Sequence, residues 1–311
     1  MELARLIIGG FINVEIWIML MLNVLVLACI IKGRLYAKKD NSAYILAGFN
    51  ITCDICQLTL HLLYIGPAIV AGSWLFDGQD SPEVTIISTI FLGLWYLGSL
   101  MQMLFATNRF VVICFPRKVF FSKKRVVVFI LISFCTALGM VIYSQLLSPC
   151  CRITPDPLFY SYSYLNVPDA TFNPSMYFVD LPLDSGTSLY CGASYIALFI
   201  YVHKVGIASN SAWKRELRCC IQFMLMFLAY TIAWVTFFVY PVLQLQQREA
   251  YSITLILVVT NSGINSVIYL SLNSEIRHAA NQLLQRAMFK DPHIAARSTW
   301  TVQLQSRRRT S

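Results

Sequence analysis

Seven mostly apolar stretches, at residues 6–31, 43–71, 84–112, 126–148, 185–207, 219–243 and 252–272, dominate this chain. Each reaches the about 20 residues that a helix needs to cross the hydrocarbon core of a bilayer. Within that core every backbone N–H and C=O must find a partner inside the protein, which leaves helices and closed barrels as the only spanning forms. A barrel would show ten-residue segments of alternating hydropathy, and none is visible. The stretches therefore predict an all-α membrane protein, a seven-transmembrane helix bundle. With 57% hydrophobic and 13% charged residues and a mean hydropathy of +0.63, the chain does not have the composition of an ordinary soluble domain. Polar residues interrupt the second, fifth and seventh stretches, whose ends are the least sharply marked.

Charge in the connections sets the expected orientation. Of the 24 Lys and Arg, all but Arg5, Arg152 and Arg248 fall in the first, third and fifth connections or after the seventh span. The acids Asp77, Asp80, Glu83, Asp156, Asp169, Asp180 and Asp184 fall in the opposing loops. This pattern predicts an extracellular N-terminus and a cytoplasmic C-terminus in the plasma membrane. It also accounts for the net charge of +9 without a nucleic-acid partner. The first stretch lacks a basic start and a small-residue cleavage site, so it is expected to remain as a span. The sequon Asn50-Ile51-Thr52 lies inside the second span, out of reach of glycosylation.

A single domain is expected over residues 1–290, followed by a disordered basic cytoplasmic tail at 291–311. Its longest connection, about residues 149–184, is rich in proline and aromatics, which argues against a helix there. That loop could cap a cavity or simply pack on the helix ends. Cys150, Cys151 and Cys191 are expected on the outer side, where three thiols allow one pair and a spare; a bridge from Cys150 or Cys151 to Cys191 is the candidate. After the seventh span, Asn273-Ser274-Glu275 has the form of a helix start. Ile276, Ala280, Leu283, Leu284, Ala287 and Met288 recur beyond it at helical spacing, predicting an interfacial amphipathic helix over 273–290.

Polar groups inside the spans carry the functional signal, because hydrocarbon makes each of them expensive. Arg109, in Asn108-Arg109-Phe110, sits at the inner end of the third span and needs a partner or a route to water. Asp54 lies mid-span in the second helix, Asn23 in the first, and Asn261, Ser262 and Asn265 in the seventh. If they converge, they could hold a proton or a sodium ion, or form a structural hydrogen-bond knot. Signals for an enzyme are poor: the four histidines show no metal-site spacing, and Cys53-Asp54-Ile55-Cys56 has no second pair to complete a zinc site. No other cofactor and no metal centre is expected.

Several of these residues fall into an ordered pattern. Asn108-Arg109-Phe110 resembles the Asp-Arg-Tyr triplet of rhodopsin-like G-protein-coupled receptors. Asn265-Ser266-Val267-Ile268-Tyr269 resembles their Asn-Pro-x-x-Tyr motif, and Trp234-Val235-Thr236-Phe237-Phe238 their Cys-Trp-x-Pro-Phe-Phe motif. Asn23 and Asp54 stand where that family has its first-span Asn and second-span Asp. The stretch 104–112 with Phe115-Pro116 and Phe121-Ser122-Lys123-Lys124 is closer still to the nematode chemosensory serpentine receptors, class x or a neighbouring class.

The resemblance implies a chemosensory receptor at the cell surface, with a sensory cilium as one location such receptors occupy. A small molecule would bind in the outer half of the bundle and a heterotrimeric G protein at the inner face. Arg109, Asn108, Tyr269 and Trp234 would form the coupling switch. Phe91, Trp95, Phe237, Phe238 and Tyr240, with Trp234, would line the ligand pocket. Phe91 stands where amine receptors carry an acid, which favours a neutral or weakly polar ligand. Asn108 replaces the acid that pairs with the arginine, so the resting lock is expected to be weaker. Ser266 and Thr236 replace prolines, and Pro241 should kink the sixth span near its outer end. No cysteine lies between Gln57 and Ile113, so the disulfide usual at the top of the third span cannot form. The rivals are a seven-span transporter or channel with Asp54 and Glu15 as ion ligands, and a receptor relative that no longer couples.

Overall fold

The computed structural model describes residues 2–37, 43–115, 120–165, 172–205, 210–243 and 247–288, without the side chains at 202, 205, 210–220, 222, 241, 242 and 286–288. It is a seven-span helix bundle. The first span is α1 (Glu2–Lys32), and the second comprises α2 (Ala43–Leu60), a π turn (His61–Ile65) and α3 (Gly66–Ala71). Then come α4 (Pro82–Cys114) and α5 (Lys123–Ile142, extended to Leu147 by a π turn). A hairpin of β1 (Ile153–Asp156) and β2 (Ser161–Tyr164) precedes α6 (Leu181–Val205), α7 (Asn210–Val242), α8 (Ser252–Leu272) and the short α9 (Ser274–Met288). The all-α expectation holds for the bundle; the hairpin is an addition that it did not contain.

Local chemistry accounts for the helix ends. Ser81 caps α4, its Oγ accepting the Val84 N–H at 3.3 Å, with Pro82 in the first turn where no amide partner is needed. Ser122 opens α5 in the same way. Gly72 closes α3 in the left-handed region, at φ 69°. Two of the π turns, His61–Ile65 and Met176–Asp180, end two residues before a proline, Pro67 and Pro182. Proline cannot donate a helical hydrogen bond and crowds the carbonyl four residues back; the wider turn relieves both. The sixth span continues to Val242, so Pro241 falls in its last turn and not within its body.

The spans close a ring. α8 packs against both α1 and α7, α7 against α6, α6 against α4, and α4 against α2 and α5. On α1, Leu3, Ile7, Phe11, Val14, Ile18 and Met21 form an exposed stripe at three- and four-residue spacing, while Ile12, Ile16, Asn23, Val26 and Ile30 are buried. Such an apolar outer face belongs against lipid. Among the described residues six spans are apolar enough to cross a membrane by length and composition. α6 is the exception, since its outward-projecting apolar residues are offset by a polar run at Asp184, Ser185, Thr187 and Ser188.

α9 starts where the sequence indicates: Asn273 Oδ1 accepts the N–H groups of Glu275 at 3.0 Å and Ile276 at 3.2 Å. Ile276, Ala279 and Ala280 are buried in a cluster with Val26, Ile30, Leu35 and Tyr44, whereas Leu284 stays exposed. The first turns of the amphipathic helix thus pack on the bundle. Ala279 belongs to this contact although the expected stripe omitted it. Residues 289–290, the basic tail 291–311 and the loop cations Lys38, Lys39, Arg117 and Lys118 lie outside the described residues.

Candidate functional site

Three sites lie along the bundle, from the hairpin end to the end bearing Arg109. At the hairpin end, a cavity opens between α4, α6, α7, α8 and the hairpin. Phe91, Trp95, Trp234, Phe237 and Phe238 line it. Tyr240 does not: it sits further along α7, where its ring meets Tyr251 edge-on at 6.1 Å.

The hairpin roofs this cavity. Its strands pair antiparallel, with Ile153 opposite Tyr164 and Pro155 opposite Tyr162, so Tyr162 and Tyr164 share one face. Tyr162 lies flat on Phe91, with centroids 3.8 Å apart and planes at 7°, and meets His61 edge-on at 5.9 Å. Gln145 Nε2 donates to the Ile153 carbonyl at 3.1 Å and Trp74 Nε1 to that of Pro155 at 3.3 Å, fixing the hairpin to the bundle. Asp156 holds the turn, accepting the Leu158 N–H at 3.0 Å and the Ser163 hydroxyl at 3.1 Å. Burial raises its carboxyl above the ordinary range, and these donors act against that rise. Of the two readings of this loop, capping a cavity is the one the geometry adopts.

Two acids line the same cavity, and sequence reasoning counted them only as loop charge. Asp180 accepts hydrogen bonds from Tyr96 and, at 2.6 Å, from Tyr164. Asp184 accepts from Tyr230 at 2.6 Å and Trp95 Nε1 at 3.2 Å. The signal was available: positions 180, 184 and 188 are one turn apart and share a helix face, and Ser188 Oγ accepts the Trp234 Nε1–H at 2.8 Å. The third span brings Phe91 and no acid to the cavity, as expected, but the fifth span and the π turn before it bring one each.

Cys191 lies on the inward face of α6, fully buried and free, while Cys150 and Cys151 are bonded to each other. The expected bridge to Cys191 is thereby corrected. α6 begins at Leu181, so Cys191 is ten residues inside it, roughly 15 Å along the axis from its start.

Midway along the bundle, Asp54 Oδ2 accepts from Asn50 Nδ2 at 2.9 Å and Asn265 Nδ2 at 3.0 Å. Asn23 Nδ2 donates to the Ser262 carbonyl at 2.9 Å, and Ser266 donates to Asn23 Oδ1. These bonds tie the first, second and seventh spans together. Asn261 has no hydrogen bond in this network, whereas Asn50 and Ser266, singled out for other reasons, do. Glu15 is elsewhere: its Oε1 accepts from Thr260 at 2.6 Å. It lies eight residues along α1 from Asn23, roughly 12 Å, so Asp54 and Glu15 do not form one ion site.

At the far end, Asn108 is buried with its Nδ2 unpartnered. The guanidinium of half-buried Arg109 lies over the ring of Phe223 in α7, 4.7 Å from its centroid. Among the described residues no acid pairs with it. Phe105 of α4 also meets Phe223, at 5.7 Å, so the two helices touch here through apolar and cation–π contacts. Tyr269 is buried between Tyr44 and the start of α9. The side chains of Lys214, Arg215 and Arg218 lie outside the described residues.

A family model described as serpentine type 7TM GPCR chemoreceptor Srx matches residues 18–273. The crystal structure of squid rhodopsin is similar over 91% of this chain and 81% of its own, with a TM-score of 0.73 and 14% identity. A likeness at that identity concerns the fold alone. No curated protein sequence matches significantly.

Proposed function

The chain belongs to the serpentine-type seven-transmembrane chemoreceptor family Srx, and from that membership we propose that it binds a small molecule in the roofed cavity and activates a heterotrimeric G protein at the opposite end. The hairpin end faces outward and the Arg109 end the cytoplasm, in keeping with the loop charges. The observation that carries the reading is a continuous connection along two helices. α4 and α7 supply Phe91, Trp95, Trp234 and Phe237 to the cavity, and the same helices meet at the other end through Arg109 and Phe223.

A ligand shifts such a bundle only by its preference for one arrangement over the other. Contacts with Trp234 and Phe237 let it bias the position of α7, and movement of α7 takes Phe223 off Arg109. Arg109 is then free to receive the C-terminus of a Gα subunit, with Lys123, Lys124, Arg125 and the Asn273–Arg277 turn alongside. Midway, Asn265 Oδ1 is buried without a partner, and with the Asp54 carboxylate it would suit a sodium ion that neutralises that charge.

The resting contact is weak by construction, because Asn108 offers no charge to Arg109. A cation–π contact stabilises by about 0.5–2 kcal/mol. Phe223→Leu keeps apolar bulk and removes the ring face, so ligand-free activity should rise roughly two- to thirtyfold. Basal nucleotide exchange on Gα by receptor in nanodiscs measures this. Exchange equal to wild type, at matched receptor, would exclude the contact as a latch.

A further inference from the structure

Asp180 and Asp184 bring two carboxylates to an otherwise aromatic cavity, and every donor they meet is neutral: the hydroxyls of Tyr96, Tyr164 and Tyr230, the indole of Trp95, and Ser99. Among the described residues neither has a basic partner. Both are at least nine-tenths buried, at 4% and 3% exposure. A buried carboxylate keeps its charge only where a countercharge or several strong donors stand against it. Acceptor capacity also remains: each carboxylate offers about four lone-pair positions, and Asp184 Oδ2 has only a share of the Trp95 N–H, at 3.4 Å.

A second observation points to an occupant. Ser161 Oγ and Thr254 Oγ1 both line the cavity, are buried to 1% and 3% exposure, and have no hydrogen-bond partner. Buried hydroxyls without partners are uncommon in folded proteins and call for a group to satisfy them. Trp95, Phe237 and Phe238 line the same cavity, and aromatic rings attract cations that approach their faces. Acids, unfilled hydroxyls and aromatic walls in one cavity describe a receptor for a small, donor-rich cation with an apolar body.

We propose that the cavity binds protonated amines, with the ammonium group held by Asp184 and Asp180 and the apolar body against Trp95, Phe237 and Phe238. The proposal rests on the reading of this cavity as the ligand site. It departs from the neutral or weakly polar ligand that Phe91 in the third span favours. Asp184 lies in the first turn of the fifth span and Asp180 at the end of the π turn before it, four residues apart and lining one cavity with Ser161 and Thr254; an ammonium with three donors has one for each carboxylate and one for a hydroxyl.

The test uses the full chain in nanodiscs, without G protein, and reads thermal stabilisation. The probes are 2-phenylethylamine, hexylamine and cyclohexylmethylamine, each against the alcohol of the same skeleton. Amines are expected to raise the melting temperature in a saturable way and the alcohols to leave it nearly unchanged. Asp184→Asn keeps an acceptor for Tyr230 but removes the charge, and should weaken amine binding about 30-fold or more; Asp180→Asn should weaken it less. If Asp184→Asn does not fold, the wild-type comparison of amine with alcohol decides alone. Stabilisation by alcohols equal to that by amines, amine binding unaltered in both variants, or no stabilisation by any amine would overturn the proposal. Because binding is read without a G protein, loss of coupling leaves this result untouched. A receptor that signals to a neutral compound while no amine binds would overturn this inference and leave the proposed function standing.

Discussion

Arg109→Ala is expected to reduce ligand-evoked G-protein activation by about 30-fold or more, since buried arginines at the centre of an interface commonly contribute 2 kcal/mol or more. Folding should change little. Arg109 makes no ion pair among the described residues, and its guanidinium lies over the Phe223 ring. Loss of that contact should, if anything, loosen the resting state, so the alanine variant removes both the latch and the docking group. Docking dominates, because no other side chain of α4 at this depth offers a planar cation. Arg109→Lys keeps the charge but not the guanidinium plane that stacks and donates in parallel, and should retain part of the activity. Surface labelling alongside nucleotide exchange on Gα separates coupling from expression. Wild-type exchange from the alanine variant would remove Arg109 from the switch.

Tyr162→Ala should have the largest effect on stability. Its ring is buried, stacked on Phe91 and edge-on to His61. Truncating a buried aromatic to alanine typically costs about 3–5 kcal/mol, which corresponds here to a fall in melting temperature of roughly 5–10 °C. The lost ring also opens the roof of the cavity, so backbone amides at 153–164 should exchange with solvent faster than in wild type. Tyr162→Phe keeps the stacked ring and should restore protection and most of the melting temperature. Hydrogen exchange at the hairpin unchanged in Tyr162→Ala would show that the strand is held by its tethers at Gln145 and Trp74 and not by the ring.

The bundle was legible because each span carries a mostly apolar run long enough to cross a bilayer, and because Asn23, Asp54, Arg109, Trp234 and Asn265 fall in one order along it. Boundaries were less so. Several helices begin before their apolar runs, α4 at Pro82 behind its Ser81 cap and α7 at Asn210, and hydropathy alone does not see such an extension. The hairpin escaped because prolines and aromatics argued only against helix; yet Ser161-Tyr162-Ser163-Tyr164 alternates small and aromatic residues at the period of a strand. Asp180 and Asp184 escaped because loop acids were weighed as topology, although a four-residue spacing beside a span places both on one face. Cys191 was expected on the outer side, whereas its position ten residues into α6 sets it, buried, within the bundle. Pairwise contacts such as Arg109 with Phe223 join residues far apart in the chain, and no local pattern announces them.

The most direct test of the receptor reading is a calcium response in cells expressing the full chain with a promiscuous Gα, against a panel of volatile and water-soluble chemicals that includes the amines above. The expected result is a dose-dependent response to at least one compound that disappears with Arg109→Ala and when Gα is absent. A ligand-evoked current that persists without Gα and is unaltered by Arg109→Ala would contradict it, and would identify the chain as a transporter or channel.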